Sequence, residues 1–127
     1  RPYINLKIKP LEVRQVIKST TAEKVAKMMV SAVDKLNITT IKGFEVAGKT
    51  GTAYVPDLRR GGYLTEVINT FVGFAPVTNP RFKILFKLDK PYVAPYASAT
   101  VVPAFKELAE FLLSYYNIAP DRNVTTN

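Results

Sequence analysis

A short run of reactive and small residues, Val46-Ala47-Gly48-Lys49-Thr50-Gly51-Thr52-Ala53, combines one cation, two hydroxyls and two glycines. In an extended strand successive side chains point to opposite faces, so Thr50 and Thr52 share one face and Lys49 lies on the other. Glycine lets a second backbone come close, and a strand edge can offer N–H and C=O groups to a peptide beside it. Because the ammonium and the hydroxyls attract a carboxylate, the run predicts a binding edge for a peptide with an anionic end.

The same residues also satisfy a phosphate-loop pattern, because Gly43 to Thr50 reads G-x-x-x-x-G-K-T. A phosphate loop must open a helix directly after its lysine and threonine, so that the helix N-terminus holds the phosphate. The residues that follow, Gly51 to Pro56 and then Gly61-Gly62, favour a strand and a loop instead. Nucleotide binding therefore stays a remote alternative.

The amino-acid composition excludes several kinds of catalytic and metal site. The chain contains no cysteine and no histidine, which excludes thiol nucleophiles, Ser-His-Asp triads and the common zinc sites within these 127 residues. We expect no metal and no cofactor. The net charge of +8 comes from dispersed residues, with Arg59-Arg60 the only adjacent basic pair. Dispersed positive charge is typical of a solvated surface, so we expect no nucleic-acid partner.

The elements that must position the binding edge follow from periodicity and turn residues. Thr20-Thr21-Ala22-Glu23 fits a capping box that opens a helix from Thr21 to Leu36, and a second helix is expected from about Ala99 to Tyr116. Between the helices, short connections require antiparallel strands. The predicted strands are about Glu45 to Tyr54, Val67 to Ala75 and Phe82 to Asp89, preceded by extended segments at Tyr3 to Lys9 and Leu11 to Ile17. This order predicts an α+β fold in which helices pack on an antiparallel sheet of at least three strands.

The motif Lys49-Thr50-Gly51, followed by Thr52-Ala53, resembles the third active-site motif of penicillin-binding transpeptidases and serine β-lactamases. Three flanking stretches agree with this resemblance, namely Phe44 to Ala53, Asn69 to Arg81 and Phe105 to Asp121. From about Thr20 onward the chain looks like the last third of a class B, monofunctional penicillin-binding protein. The resemblance implies the transpeptidase/β-lactamase fold, of which residues 1–127 would form the C-terminal portion. Residues 121–127 are polar, and we expect them to form a flexible tail.

The resemblance also implies roles for the motif residues. Lys49 would support the electrostatics of a substrate-binding strand that includes Gly51. The hydroxyls of Thr50 and Thr52 would receive the carboxylate of a peptidoglycan stem peptide ending in D-alanyl-D-alanine, or that of a β-lactam antibiotic. The backbone N–H of Thr52 would be one of two oxyanion-hole donors. No cofactor takes part in the family's reaction.

The family's reaction is acyl transfer through a serine nucleophile in a Ser-x-x-Lys motif. No serine of this chain has lysine three positions later. We therefore expect the nucleophile outside this sequence, the chain alone to be inactive, and the remainder of the transpeptidase domain to be its structural partner. A start at Arg1 without methionine or signal peptide agrees with a missing upstream part that anchors the protein in the cell membrane, with this domain outside the cytoplasm.

Two functions remain open. The first is a peptidoglycan D,D-transpeptidase that cross-links the cell wall and is inhibited by penicillin. The second is a non-catalytic β-lactam or peptide-binding sensor of the same fold, which keeps the anionic-peptide edge and lacks the chemistry. A Ser-x-x-Lys motif upstream would favour the enzyme, and its absence would favour the sensor.

Overall fold

The computed structural model describes residues 11–37, 39–92 and 94–122. Along the chain, one helix precedes three strands and a second helix follows them. The strands form one antiparallel sheet in the order β1-β2-β3. The elements are α1 (Ser19–Leu36), β1 (Ala47–Pro56), β2 (Tyr63–Ala75), β3 (Phe82–Asp89) and α2 (Ala97–Tyr115). The predicted α+β fold with helices packed on an antiparallel sheet is confirmed. The extended segment expected at Tyr3 to Lys9 lies outside the described residues.

The start of α1 differs from the sequence prediction. The helix begins at Ser19, after an N-cap at Lys18 that makes no side-chain capping hydrogen bond. The backbone closes the first turn instead, because the N–H groups of Thr21 and Ala22 both donate to the Lys18 carbonyl at 3.0 and 3.1 Å. The predicted capping box is therefore wrong, and Thr20 lies inside the helix.

The strands of the β1–β2 hairpin extend further towards their connecting loop than the predicted end at Tyr54 and start at Val67. Its loop closes tightly on Asp57, whose Oδ1 accepts hydrogen bonds from the backbone N–H groups of Arg59 and Arg60 at 2.9 and 3.0 Å. Two further backbone bonds join Asp57 to Gly61 and Gly62, at 2.9 and 3.0 Å. Both glycines have positive φ, of 76° and 78°, a conformation that other residues rarely adopt. Because the loop is so short, the strands extend to Pro56 and from Tyr63.

One face of the sheet carries the core. Val67, Asn69, Phe71, Gly73 and Ala75 alternate along β2 and are all buried. Helix α2 packs on this face through an inner row of apolar residues. That row consists of Val101, Val102, Phe105, Ala109 and Leu113.

An aromatic pair lies at the centre of this core. The rings of Phe71 and Phe105 meet edge to face with centroids 4.7 Å apart. A Cβ added to Gly73 would come within 2.6 Å of Phe105 Cζ and 2.9 Å of Phe71 Cε1. Glycine is required at this position because the two rings occupy the space that a side chain would need.

The opposite face of the sheet is only partly covered. We call it the open face and define it by Ile68, Val72 and Phe74 of β2, which are half-buried, and Leu85 of β3, which is 66% exposed. The register places Val72 directly opposite Leu85. Nearby, α1 packs against β1 yet leaves Met28 68% exposed. Apolar side chains thus occur on both faces of the sheet, and the open face is the less covered of the two.

The end of the chain also departs from expectation. Helix α2 runs from Ala97 to Tyr115 with Pro103 inside it, whereas the sequence predicts a helix from about Ala99 to Tyr116. Residues Asp121 and Arg122 were expected in the flexible tail, but both make hydrogen bonds to distant parts of the chain. Residues 123–127 lie outside the described ranges. Within those ranges, neither helix has the length and hydropathy needed to cross a bilayer.

We expect Gly73→Ala to destabilise the fold by about 1–3 kcal/mol, because the added methyl group would overpack the site between Phe71 and Phe105. The measurement is the free energy of unfolding in urea, on the whole protein or on a fragment of it that unfolds cooperatively. Ser98→Ala is the control, since Ser98 is exposed on α2, and its effect should stay within about 0.5 kcal/mol. Equal stability of the two variants would contradict the described packing.

Candidate functional site

The predicted binding edge lies on β1, at one side of the sheet. Among the described strands, β1 pairs only with β2, so its other edge has no strand partner. The backbone N–H and C=O groups along such an edge can pair with an extended peptide. The structure therefore places Lys49, Thr50, Gly51 and Thr52 on a strand that is open to addition of a further strand.

The register of the sheet separates the hydroxyls from the cation. Thr50 lies opposite Phe71 and Thr52 opposite Asn69, on the face that α2 covers. Lys49 lies opposite Val72, on the open face. This agrees with the alternation expected from the sequence. Thr50 is half-buried, whereas Thr52 and Lys49 are exposed, so all three side chains can be reached from solvent at the strand edge.

The lysine is held close to its neighbouring threonine. Lys49 Nζ donates a hydrogen bond to the Thr50 carbonyl oxygen at 2.6 Å. The four salt bridges found among the described residues do not include Lys49. The ammonium group therefore contributes positive potential at the backbone of the site strand, next to the Thr50 carbonyl.

The two glycines of the motif serve the protein's own packing. A Cβ on Gly48 would clash with the ring of Phe71, and one on Gly51 would clash with the hydroxyl of Thr70 across the strand pair. Sequence analysis assigned glycine to the approach of a ligand backbone. The structure adds a second reason, since each glycine makes room for a side chain of β2.

A buried asparagine behind the site was missed by sequence analysis. Asn69 is 0% exposed and lies opposite Thr52 on the sheet. Its Nδ2 donates to Thr100 Oγ1 at 3.0 Å, and that hydroxyl donates to the Tyr96 carbonyl at 3.1 Å. These two hydrogen bonds join β2, the strand paired with β1, to the start of α2. The sequence signal was available, because an amide in an otherwise apolar strand needs a hydrogen-bonding partner.

The structure supplies neither a nucleophile nor a metal site in the part of the chain that it describes. The four serines are exposed and lie on the helices, two on α1 and two on α2, rather than on β1. They are Ser19, Ser31, Ser98 and Ser114. Within the described ranges, no three acidic residues come together as a metal-binding group. The groups that this edge offers are two hydroxyls, one ammonium group and the backbone N–H and C=O groups of β1.

The phosphate-loop interpretation does not fit the local structure. Thr50 continues as strand to Pro56, and the chain then turns at Asp57 into the hairpin with β2. No helix follows the Lys-Thr pair, so the helix N-terminus that would hold a phosphate is absent from this described segment.

Comparison with known proteins identifies the family of this chain. The family model described as the penicillin-binding protein transpeptidase domain matches residues 2–110. A probable peptidoglycan D,D-transpeptidase PenA from Neisseria flavescens is 35% identical over 114 residues, which cover 86% of this chain and 28% of the relative. A peptidoglycan D,D-transpeptidase FtsI from Buchnera aphidicola is 37% identical over 82 residues, covering 64% of this chain and 14% of the relative.

Solved structures show the same similarity. Penicillin-binding protein 3 from Mycobacterium tuberculosis in complex with ampicillin matches 94% of this chain with a TM-score of 0.79 and 28% identity. The apo transpeptidase domain of penicillin-binding protein 3 from Burkholderia pseudomallei matches 82% with a TM-score of 0.69 and 30% identity. This chain covers 29% and 32% of those two structures. It therefore spans about a third or less of the proteins that it resembles.

We expect magnesium-ATP to show no saturable binding at residues 43–50, because β1 continues where a phosphate loop needs a helix. Isothermal titration calorimetry on the protein that contains this chain is the measurement. Saturable binding that is lost in Lys49→Ala and kept in Lys42→Ala, a change at an exposed lysine outside β1, would revive the phosphate-loop interpretation.

Proposed function

The chain belongs to the penicillin-binding protein transpeptidase family, and from that premise we propose that it forms the substrate-binding side of a peptidoglycan D,D-transpeptidase. The observation that supports this most is the free edge of β1, which carries two threonine hydroxyls and an ammonium group within four residues. An extended peptide with a terminal carboxylate matches both features. A β-lactam with its carboxylate is the corresponding inhibitor.

The carboxylate of the ligand is bound by Thr50 and Thr52. Both hydroxyls lie on one face of β1, and alternate residues of a strand are spaced so that both can reach one carboxylate. Lys49 Nζ, bonded to the Thr50 carbonyl at 2.6 Å, adds positive potential next to this carboxylate. The ligand backbone pairs with the free edge of the strand near Gly51.

The acyl-transfer step needs groups from both sides of the active site. The backbone N–H of Thr52 is assigned as one oxyanion-hole donor, a contribution typically worth about 3–4 kcal/mol to the transition state. The attacking serine and its lysine come from the remainder of the transpeptidase domain, because no serine of this chain has a lysine three residues later. The serine hydroxyl attacks the peptide carbonyl, the leaving amine departs, and a second amine or water releases the acyl group.

We assign residues 1–127 to the C-terminal portion of the transpeptidase domain. The chain covers 28% of the PenA relative, and its open face leaves Leu85 66% exposed beside half-buried Val72 and Phe74. The remainder of the domain covers this face. On the family assignment, the whole protein acts outside the cytoplasm, held at the cell membrane by a segment beyond this chain, and functions in cell-wall synthesis during growth or division.

Thr52→Val should slow acylation by penicillin in the whole protein by roughly tenfold to a hundredfold. Valine keeps the size, the strand propensity and the backbone N–H, but it removes a hydroxyl whose hydrogen bond to a charged group is worth about 1.5–3 kcal/mol. Thr65→Val is the matched control, since Thr65 is an exposed threonine of β2 away from the site.

Acylation is measured with a fluorescent penicillin under pseudo-first-order conditions. An unchanged rate in Thr52→Val would show that Thr52 does not bind the ligand carboxylate. If the whole protein binds penicillin reversibly and forms no covalent adduct, the non-catalytic sensor replaces the transpeptidase as the function.

The chain expressed alone should self-associate and bind an apolar dye such as ANS, because the described residues leave Leu85 of the open face 66% exposed. Leu85→Lys should reduce both effects by placing a charge on that face. Leu58→Lys makes the same change in the hairpin loop, at a leucine that is already 93% exposed, and should leave both effects unchanged. Analytical ultracentrifugation and dye fluorescence are the measurements. A monomeric, cooperatively unfolding chain that binds no dye would contradict the assignment to a larger domain.

A further inference from the structure

The segment that follows α2 returns to the start of the site strand. After the helix, the Ile118 N–H donates to the Leu113 carbonyl at 3.0 Å, which turns the chain back. Pro120 then lies against Gly43, where a Cβ on the glycine would be 3.4 Å from the proline Cβ. We refer to Pro120, Asp121 and Arg122 as the 120–122 segment. It contacts the residues that lead into β1.

The carboxylate of Asp121 joins two separate parts of the sheet. Its Oδ1 accepts a hydrogen bond from the Glu45 backbone N–H at 2.8 Å. Its Oδ2 accepts from the Val77 N–H at 2.9 Å, from the Thr78 N–H at 3.3 Å and from Thr78 Oγ1 at 3.2 Å. Glu45 lies two residues before β1, and Val77 and Thr78 lie in the β2–β3 connection. One side chain thus fixes the entry of the site strand relative to that connection.

The 120–122 segment also contacts the Gly43 backbone and helix α1. The N–H groups of Asp121 and Arg122 both donate to the Gly43 carbonyl at 3.1 Å. Gly43 has φ of +83°, so a residue with a side chain would be strained there. Arg122 Nη2 reaches both carboxylate oxygens of Asp34 on α1, at 3.0 and 2.9 Å. The 120–122 segment therefore connects α1, the entry to β1 and the β2–β3 connection.

We propose that Asp121 is a positioning residue for the substrate-binding strand β1. Only one edge of β1 is paired with a described strand, so its position depends on β2 and on the anchoring of its entry. Asp121 supplies that anchor at Glu45, four residues before Lys49. The effect on ligand binding rests on the proposed function, whereas the effect on the strand entry does not.

The hydrogen-bond pattern at position 121 requires a carboxylate and not an amide. Both oxygens of Asp121 face donors, and the amide of asparagine has only one acceptor oxygen. In Asp121→Asn the amide oxygen keeps the side that offers three hydrogen bonds, from Val77 and Thr78. The amide NH2 group then faces the Glu45 N–H, and the bond at the strand entry is lost while the connection at Thr78 remains.

Hydrogen exchange of the Glu45 amide tests the anchor directly in the whole protein. In the unmodified protein this amide should exchange slowly, because it donates a hydrogen bond to Asp121. Glu45 lies outside the β1–β2 ladder, so the protection reports on Asp121 and not on strand pairing. In Asp121→Asn its exchange should be at least about tenfold faster. Arg122→Gln is the control, because it removes the ion pair to Asp34 and leaves the Asp121 carboxylate in place. Rapid exchange of Glu45 in the unmodified protein would overturn the proposal whether or not Asp121→Asn folds.

Penicillin acylation tests the positioning role. Asp121→Asn should lower the second-order acylation constant roughly three- to tenfold, with the loss in the reversible binding step, whereas Arg122→Gln should match the unmodified protein. If Asp121→Asn lowers the unfolding midpoint but leaves acylation unchanged, the residue is only structural and the proposal fails. If the unmodified protein does not bind penicillin at all, the proposed function fails, and the Glu45 exchange still decides whether Asp121 anchors the strand.

Discussion

The antiparallel pairing of β1 with β2 is the constraint on which the site depends. A slip of one residue would move every side chain of β1 to the other face, and Lys49 would exchange places with the threonines. The packing prevents such a slip, because Gly48 and Gly51 are the positions where Phe71 and Thr70 need space. The Phe71 ring is fixed in turn against Phe105 of α2. The core therefore determines which face carries the hydroxyls.

The same sheet explains why the chain resembles part of a larger fold. Helix α2 covers one face and buries Phe71 and Ala75 completely, whereas the open face keeps Leu85 largely exposed. A sheet with apolar residues on both faces is typical of strands that are covered on both sides. On the proposed function, the nucleophile lies across the cleft from β1, and none of the four serines of the described residues lies on that strand.

Local pattern was sufficient for the order of the elements and for the alternation along β1. The bounds of β3 match their prediction, and the faces of β1 follow from alternation alone. Sequence reasoning failed where the partner is distant in the chain. The bond from Glu45 to Asp121 spans 76 residues, so composition alone indicated a flexible tail at Asp121. The capping box at Thr20 failed for a different reason, because the backbone at Lys18 had already closed the first turn.

The central claim is that this chain binds the ligand and that another part of the protein reacts with it. The most direct measurement is peptide mapping by mass spectrometry of the whole protein after labelling with penicillin, together with the intact mass of the chain alone after the same treatment. We expect a penicilloyl group on a serine outside these 127 residues and no mass increase in the isolated chain. A stoichiometric adduct on Ser19, Ser31, Ser98 or Ser114 would contradict it.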